Sequence, residues 1–178
     1  LGSEAISTSL VAGAIGFAIV VVLMIILYRI MGLAAGIALT SYIGIVLVLL
    51  NIFEMTLTLP GIAGIVLSIG MAVDANVIIF ERIKEELRNG KSTKSAIKSG
   101  FHRAFAAILD SNVTTFIAAG VLYVLGSGSI KGFAFTLGLG VILSMFTALV
   151  LTKYLMNLSA DMNINGLKLY GVRERKAE

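Results

Sequence analysis

The sequence predicts an all-α integral membrane protein, a bundle of five transmembrane helices. Three observations predict it. The 178 residues are 58% hydrophobic and only 13% charged, with a mean hydropathy of +1.00; a soluble domain is nearer half apolar and a quarter charged. Five uncharged runs, 5–28, 30–53, 55–73, 111–130 and 132–152, each hold 19 to 24 residues, close to the roughly 20 that a helix needs to cross about 30 Å of hydrocarbon. Finally, of the 14 basic residues, all but Lys131 fall on one side under a five-span arrangement. Lys and Arg gather on the cytoplasmic side of membrane proteins. The sequence therefore expects an outside N-terminus and a cytoplasmic C-terminus.

Adjusted for their flanks, the spans fall near 9–28, 33–53, 62–82, 104–125 and 133–155. Spans one and two meet at the short turn 29–32, a tight hairpin. Span two carries Gly32, Gly36, Thr40 and Gly44 at four-residue spacing, a register that lets another backbone approach closely. The outer loop 54–61 holds the one proline, Pro60, which suits a helix's first turn because its missing N–H is not needed there.

Span three carries a second small stripe, Gly64, Ser68, Ala72 and Asn76, and an acid, Asp74. An ionised carboxylate in hydrocarbon costs about 2.5–3.5 kcal/mol on insertion scales, so an intramembrane acid is a functional candidate by default. Its polar side is expected to face protein rather than lipid. The cytoplasmic segment 83–103 turns at Asn89-Gly90; Ser92 or Thr93 then caps a short helix running to Arg103. With Ala96, Ile97 and Phe101 on one side and Lys94, Lys98 and His102 on the other, it reads as a helix lying on the headgroups. His102 stands alone, weak ground for a metal or proton role.

Span four opens with Asp110, Ser111, Asn112, Thr114 and Thr115. These polar groups fit either a site or hydroxyls bonded to backbone carbonyls. Span five repeats the small stripe at Thr136, Gly140, Ser144 and Ala148. The transmembrane domain is placed at 1–158 and a polar, mobile cytoplasmic tail at 159–178.

At 1.5 Å per residue, Asp74 lies about 12 Å and Asp110 about 10 Å from the cytoplasmic edge. Consecutive antiparallel spans then bring both acids to one depth, with Asn76 and Thr114. Desolvation and a like charge each raise a carboxyl pKa, so such a pair can take a proton from one side and release it to the other, with Asn76, Thr114 and Thr115 relaying through water.

Other classes are poorly served. No cysteine is present, which excludes disulfides and thiol catalysis. The net charge of +4 flanks spans and does not call for nucleic acid. No Walker loop, Ser/His/Asp set or metal-ligand cluster is evident, so neither an enzyme nor a cofactor is expected. Paired intramembrane aspartates also define aspartyl proteases, but those carry YD and GxGD, whereas AV precedes Asp74 and IL precedes Asp110. The chain begins at Leu1 without a signal peptide, and a piece of a longer protein is expected.

Three stretches, GIVLSIGMAVDANVIIFERIKEEL at 64–87, AAILDSNVTTFIAAGVLYVLGSGSIKGFAFTLGLG at 106–140 and SMFTALV at 144–150, closely resemble the SecD side of the SecD/SecF family of protein-export membrane proteins. AVDAN and FERI separate it from the SecF side, which reads more like SxNDTVVVFDR. The resemblance implies the last five of six spans of an RND-superfamily half, without the first span and the periplasmic domain. It implies a multi-pass protein of the bacterial inner membrane that acts with SecF and the SecYEG channel on a translocating preprotein. The coupling ion is the proton, or sodium in some bacteria. Asp74 matches the family's intramembrane acid, Asp110 falls on its DxNxTT motif, and Lys131 with Gly132 falls in an outer turn, GSGSIKGFA here, of structural or gating role. A proton-driven exporter of small molecules or lipids, and a purely structural scaffold, are the alternatives; copurified Sec subunits or copurified lipid discriminate the first.

Overall fold

A computed structural model describes residues 2–54, 58–162 and 167–172, with no strand among them. Five helices are long and apolar enough to cross a membrane. Helices α1 (Gly2–Tyr28) and α2 (Ile30–Ile52) are separated by Arg29 alone, which takes a left-handed φ of 52°. The hairpin is as tight as expected because Gly32 has no side chain; a Cβ there would run into the Met24 backbone.

Helix α3 (Leu59–Arg88) starts where Pro60 predicts. Thr58 is its N-cap, with Oγ1 accepting from the Gly61 N–H at 3.2 Å. Its 30 residues make a rod of about 45 Å, longer than the hydrocarbon and matching a bilayer with its headgroups. After a turn in which Gly90 adopts φ 83°, α4 (Thr93–Leu125) returns alongside α3.

This corrects the expectation for 83–103. Residues 93–103 are not a separate helix on the headgroups but the first turns of α4. Ala96, Ile97 and Phe101 are buried as expected; what they meet is the protein, not the membrane surface. At Gly100 the two helices touch so closely that a Cβ would lie 2.9 Å from the Ile83 nitrogen. Packing against α3 holds this stretch upright, which an amphipathic pattern alone cannot distinguish from lying flat.

Helix α5 (Ser129–Phe146) passes through a π-helical turn, Thr147–Thr152, into α6 (Lys153–Asp161), forming one rod from Ser129 to Asp161. The tail also departs from the expectation. Residues Leu167–Tyr170 form a 3₁₀ turn, and Ala160, Tyr170 and Val172 are buried against Met24, Tyr28 and Met156. The Tyr170 hydroxyl sits 3.3 Å from Ser159 Oγ. Residues 163–166 and 173–178, with the basic positions Arg173, Arg175 and Lys176, lie outside the described residues.

The core is the contact of α3 with α5. Their small stripes mate in parallel: Gly64 lies against Thr136, and Gly140 against Ser68, an offset of 72 residues that continues from Ala72 to Ser144 and from Asn76 to Ala148. All eight residues of the two stripes are buried. In lipid no hydrophobic force joins helices, so small residues and hydrogen bonds supply the association. Thr136 Oγ1 donates within reach of the Gly61 carbonyl at 3.0 Å, the Tyr42 hydroxyl and Ser68 Oγ lie 2.6 Å apart, and Thr152 Oγ1 donates to Asn76 Oδ1 at 2.8 Å.

The charges collect at one end. Lys84 reaches the Leu27 carbonyl at 3.4 Å and stands 4.1 Å over the Tyr28 ring, and Lys94 pairs with Asp161 at 2.6 Å. The turns after α1 and α3 and the end of α6 therefore share one end of the bundle.

Candidate functional site

Asp74 is exposed. It stands on an outward stripe of α3 with Ala63, Leu67 and Gly70, all exposed. Asn76, two residues on, is turned about 200° away. It is 2% exposed; Nδ2 donates to the Ala72 carbonyl at 3.0 Å and Oδ1 accepts from Thr152. The two polar groups that the sequence placed together thus face opposite sides of α3. Asn76 locks the π turn to the core, and Asp74 looks away from it.

On α4 the division repeats. Asp110, Ser111 and Thr114 are exposed and Thr115 is half-buried. The Thr114 hydroxyl donates to the Asp110 carbonyl at 3.0 Å and the Thr115 hydroxyl to the Ser111 carbonyl at 3.1 Å. Each hydroxyl oxygen keeps a lone pair that can accept a proton-bearing partner. Asn112, named with the polar residues that open span four, takes the structural alternative: it is buried and donates to the Ile108 carbonyl at 2.7 Å. Tyr42 was missed; its signal was a phenol inside an otherwise apolar span.

Helical geometry puts the two acids at similar depth but on outward faces. From the Ile83–Gly100 contact, Asp74 is nine residues back along α3 and Asp110 ten residues on along α4, so their depths agree to about 2 Å. Asp110 lies two positions from both Ile108 and Asn112, which are buried, so it is turned away from the packed side of α4 as Asp74 is from that of α3. At the charged end of the bundle Arg103 joins the two helices, meeting Glu85 at 3.7 Å and Glu86 at 2.7 Å.

Exposed apolar residues of α4, among them Leu109, Val113, Phe116, Ile117 and Val121, share the outward side of the helix with Asp110. At mid-membrane depth, such a face meets either lipid or another protein segment.

Beyond the apolar part of α3, Glu86 is buried between Lys91 at 2.5 Å and Arg103. The hydrogen bond from Lys91 holds its carboxyl below the ordinary 4.5 against the opposing effect of burial, with the charges of Lys91 and Arg103 adding to the shift. Its contribution is whole at neutral pH and is lost only as the pH falls through that lowered value. Lys131 is exposed, and Gly132 lies where a Cβ would come 3.1 Å from Thr58 Oγ1, so the glycine lets the N-terminal end of α5 approach the start of α3. Among the described residues no group of three or more metal-ligating side chains gathers.

The family described as protein export membrane protein SecD/SecF, C-terminal, matches residues 1–160. The chain belongs to the SecD/SecF family. It is 57% identical over 156 residues to the protein translocase subunit SecD of Acidaminococcus fermentans, covering 88% of this chain and 37% of that protein. It is 50% identical over 158 residues to the SecD of Pseudomonas aeruginosa, covering 89% of this chain and 26% of that one. It thus spans little more than a third, or less, of the length of these SecD relatives. The crystal structure of SecDF, a translocon-associated membrane protein from Thermus thermophilus, superposes with a TM-score of 0.85 at 40% identity, over 90% of this chain and 22% of that one. The all-helical, multi-pass membrane architecture is that of the SecD/SecF membrane region.

Proposed function

We propose that this chain is the ion-coupled membrane module of a bacterial protein-export subunit, set in the cytoplasmic membrane with its N-terminus outside. The observation that supports the reading is a pair of carboxylates, Asp74 and Asp110, exposed on the outward faces of two membrane-length helices in a chain of the SecD/SecF family.

Protonation of Asp74 works as a switch. With Asp74 neutral, its face is compatible with an apolar cover; with Asp74 ionised, the same cover costs several kcal/mol. Thr114 and Thr115 accept and pass the proton through water, with Asp110 as the second carboxyl of the path. Asn76 leaves this relay and takes the role of holding α3 against α5. Lys131 and Gly132 set the outer end of the α3–α5 contact.

The cover is a matching helical half, of which SecF is the proposed source, and the assembly stands beside the SecYEG channel. Each proton moved inward through 100 mV releases about 2.3 kcal/mol, available to a stroke that draws a preprotein outward. Sodium replaces the proton where the membrane runs on sodium. The test is export by the full-length protein, with its partners in sealed vesicles, under an imposed gradient. Export is expected to fall when an ionophore collapses the gradient at constant ATP. An unchanged yield would refute the coupling.

A further inference from the structure

A second feature lies at the charged end of the bundle, away from Asp74 and Asp110. A cavity of about 540 Å³ opens there between the start of α4 and the end of α6, lined by Leu87, Gly90, Lys91, Thr93, Lys94 and Ala160. It has the parts of an anion site. The first backbone N–H groups of a helix have no partner within it and carry partial positive charge. In α4 the N-cap residue Ser92 makes no side-chain capping bond, so among the described residues the N–H groups of Thr93, Lys94 and Ser95 are left without an acceptor.

Thr93 supplies an independent sign. Its side chain sits in the cavity wall at only 8% exposure, yet none of the described residues hydrogen-bonds to its hydroxyl. No fully enclosed polar side-chain atom lacks a partner among the described residues, so this hydroxyl opens into the cavity. A buried threonine donor beside free helix N–H groups asks for an acceptor with several oxygens.

Two ammonium groups flank it and two acids share them. Lys91 is engaged with Glu86 and with Ser99 Oγ at 3.1 Å. Lys94 pairs with Asp161, but both side chains of that pair are largely exposed, 70% and 62%, and such pairs are weak. Lys94 is therefore free to turn to an anion. The depth fits too: α3 is as long as a bilayer with its headgroups, and the cavity lies at its C-terminal end, beside Leu87 and Gly90.

We propose that the N-terminus of α4, with Thr93 and Lys94, binds a phosphate group, either the phosphodiester of an anionic phospholipid or inorganic phosphate. The site clamps the α3–α4 turn to α6 and needs nothing from the proton reading.

The test uses the full-length protein in two arms. In the first, nanodiscs of phosphatidylcholine doped with phosphatidylglycerol are examined by native mass spectrometry. The Thr93→Val and Lys94→Gln variants are expected to retain about two- to fivefold less phosphatidylglycerol than wild type, the scale of a helix-terminus contact. Thr93→Ser, which keeps the hydroxyl, is expected to retain it fully. In the second, inorganic phosphate is titrated into detergent-solubilised protein and the melting temperature read. A rise that Thr93→Val abolishes identifies free phosphate as the ligand; loss of lipid in the first arm with no such rise identifies the headgroup. Equal lipid retention in wild type and both variants, with no variant-dependent response to phosphate, overturns the proposal. So does an equal loss in Lys98→Gln, which removes an exposed lysine one turn further along α4.

Discussion

Asp74→Asn in the full-length protein is expected to reduce gradient-driven export to the level reached without a gradient, while the protein still inserts and copurifies with its partners. Asparagine has nearly the same shape and stays neutral, so the face keeps its shape and loses its titratable group. One proton crossing 100 mV supplies about 2.3 kcal/mol, a bias of roughly 50-fold, and that is the scale of the loss if Asp74 carries the ion. Export should be compared with and without an imposed gradient in the same vesicles. Asp74→Glu keeps the charge on a longer arm and should retain part of the activity. Normal gradient-driven export by the asparagine variant would move the chain to the scaffold reading. Because Asp74 is exposed on this chain and makes no bond in its core, a defect in assembly is not the expected cause of the loss.

Gly140→Leu is expected to have the largest effect on stability. A Cβ at Gly140 would meet Ser68 on α3 and lie 2.9 Å from the Tyr42 hydroxyl on α2. The neighbours are two other helices at the buried Tyr42–Ser68 contact, so they cannot swing aside as an exposed side chain does. Overpacking of a filled core costs about 1–3 kcal/mol, sometimes more, and a leucine here also pushes apart the stripes that join α3 to α5. The expected result is a lower melting temperature in detergent and a protease-sensitive α5. Gly44→Leu is the control: nothing lies within 4 Å of a Cβ there, and the change should stay within about 0.5 kcal/mol. Equal effects at the two positions would mean that the stripe contact does not hold the bundle together.

These two glycines show how far the sequence can be read. All three stripes, on spans two, three and five, were visible as small residues every fourth position. Those of α3 and α5 are buried against each other along their length. That of α2 divides: Gly32 and Gly36 pack on α1, whereas Thr40 and Gly44 are exposed. Spacing alone does not say which stripe finds a mate. The segment 93–103 gives the same lesson. Its buried and exposed residues were assigned correctly from periodicity, but whether the buried side met headgroups or α3 depended on the Ile83–Gly100 contact. The docking of Tyr170 and Val172 was hidden by the polar residues around them.

By itself the sequence determined that the chain is a five-helix membrane bundle, that most of its basic residues lie between or after the spans rather than within them, and that two of the spans each carry an acid. Length, hydropathy and the 1.5 Å rise are local quantities and need no neighbour. Only the tertiary structure decided that Asp74 and Asp110 look outward while Asn76 looks inward to Thr152. A helix fixes the 200° between positions 74 and 76, but its rotation about its own axis is set by the partner it packs on. Here that partner is α5, whose small residues draw the Gly64–Asn76 stripe inward and so turn Asp74 to the outside.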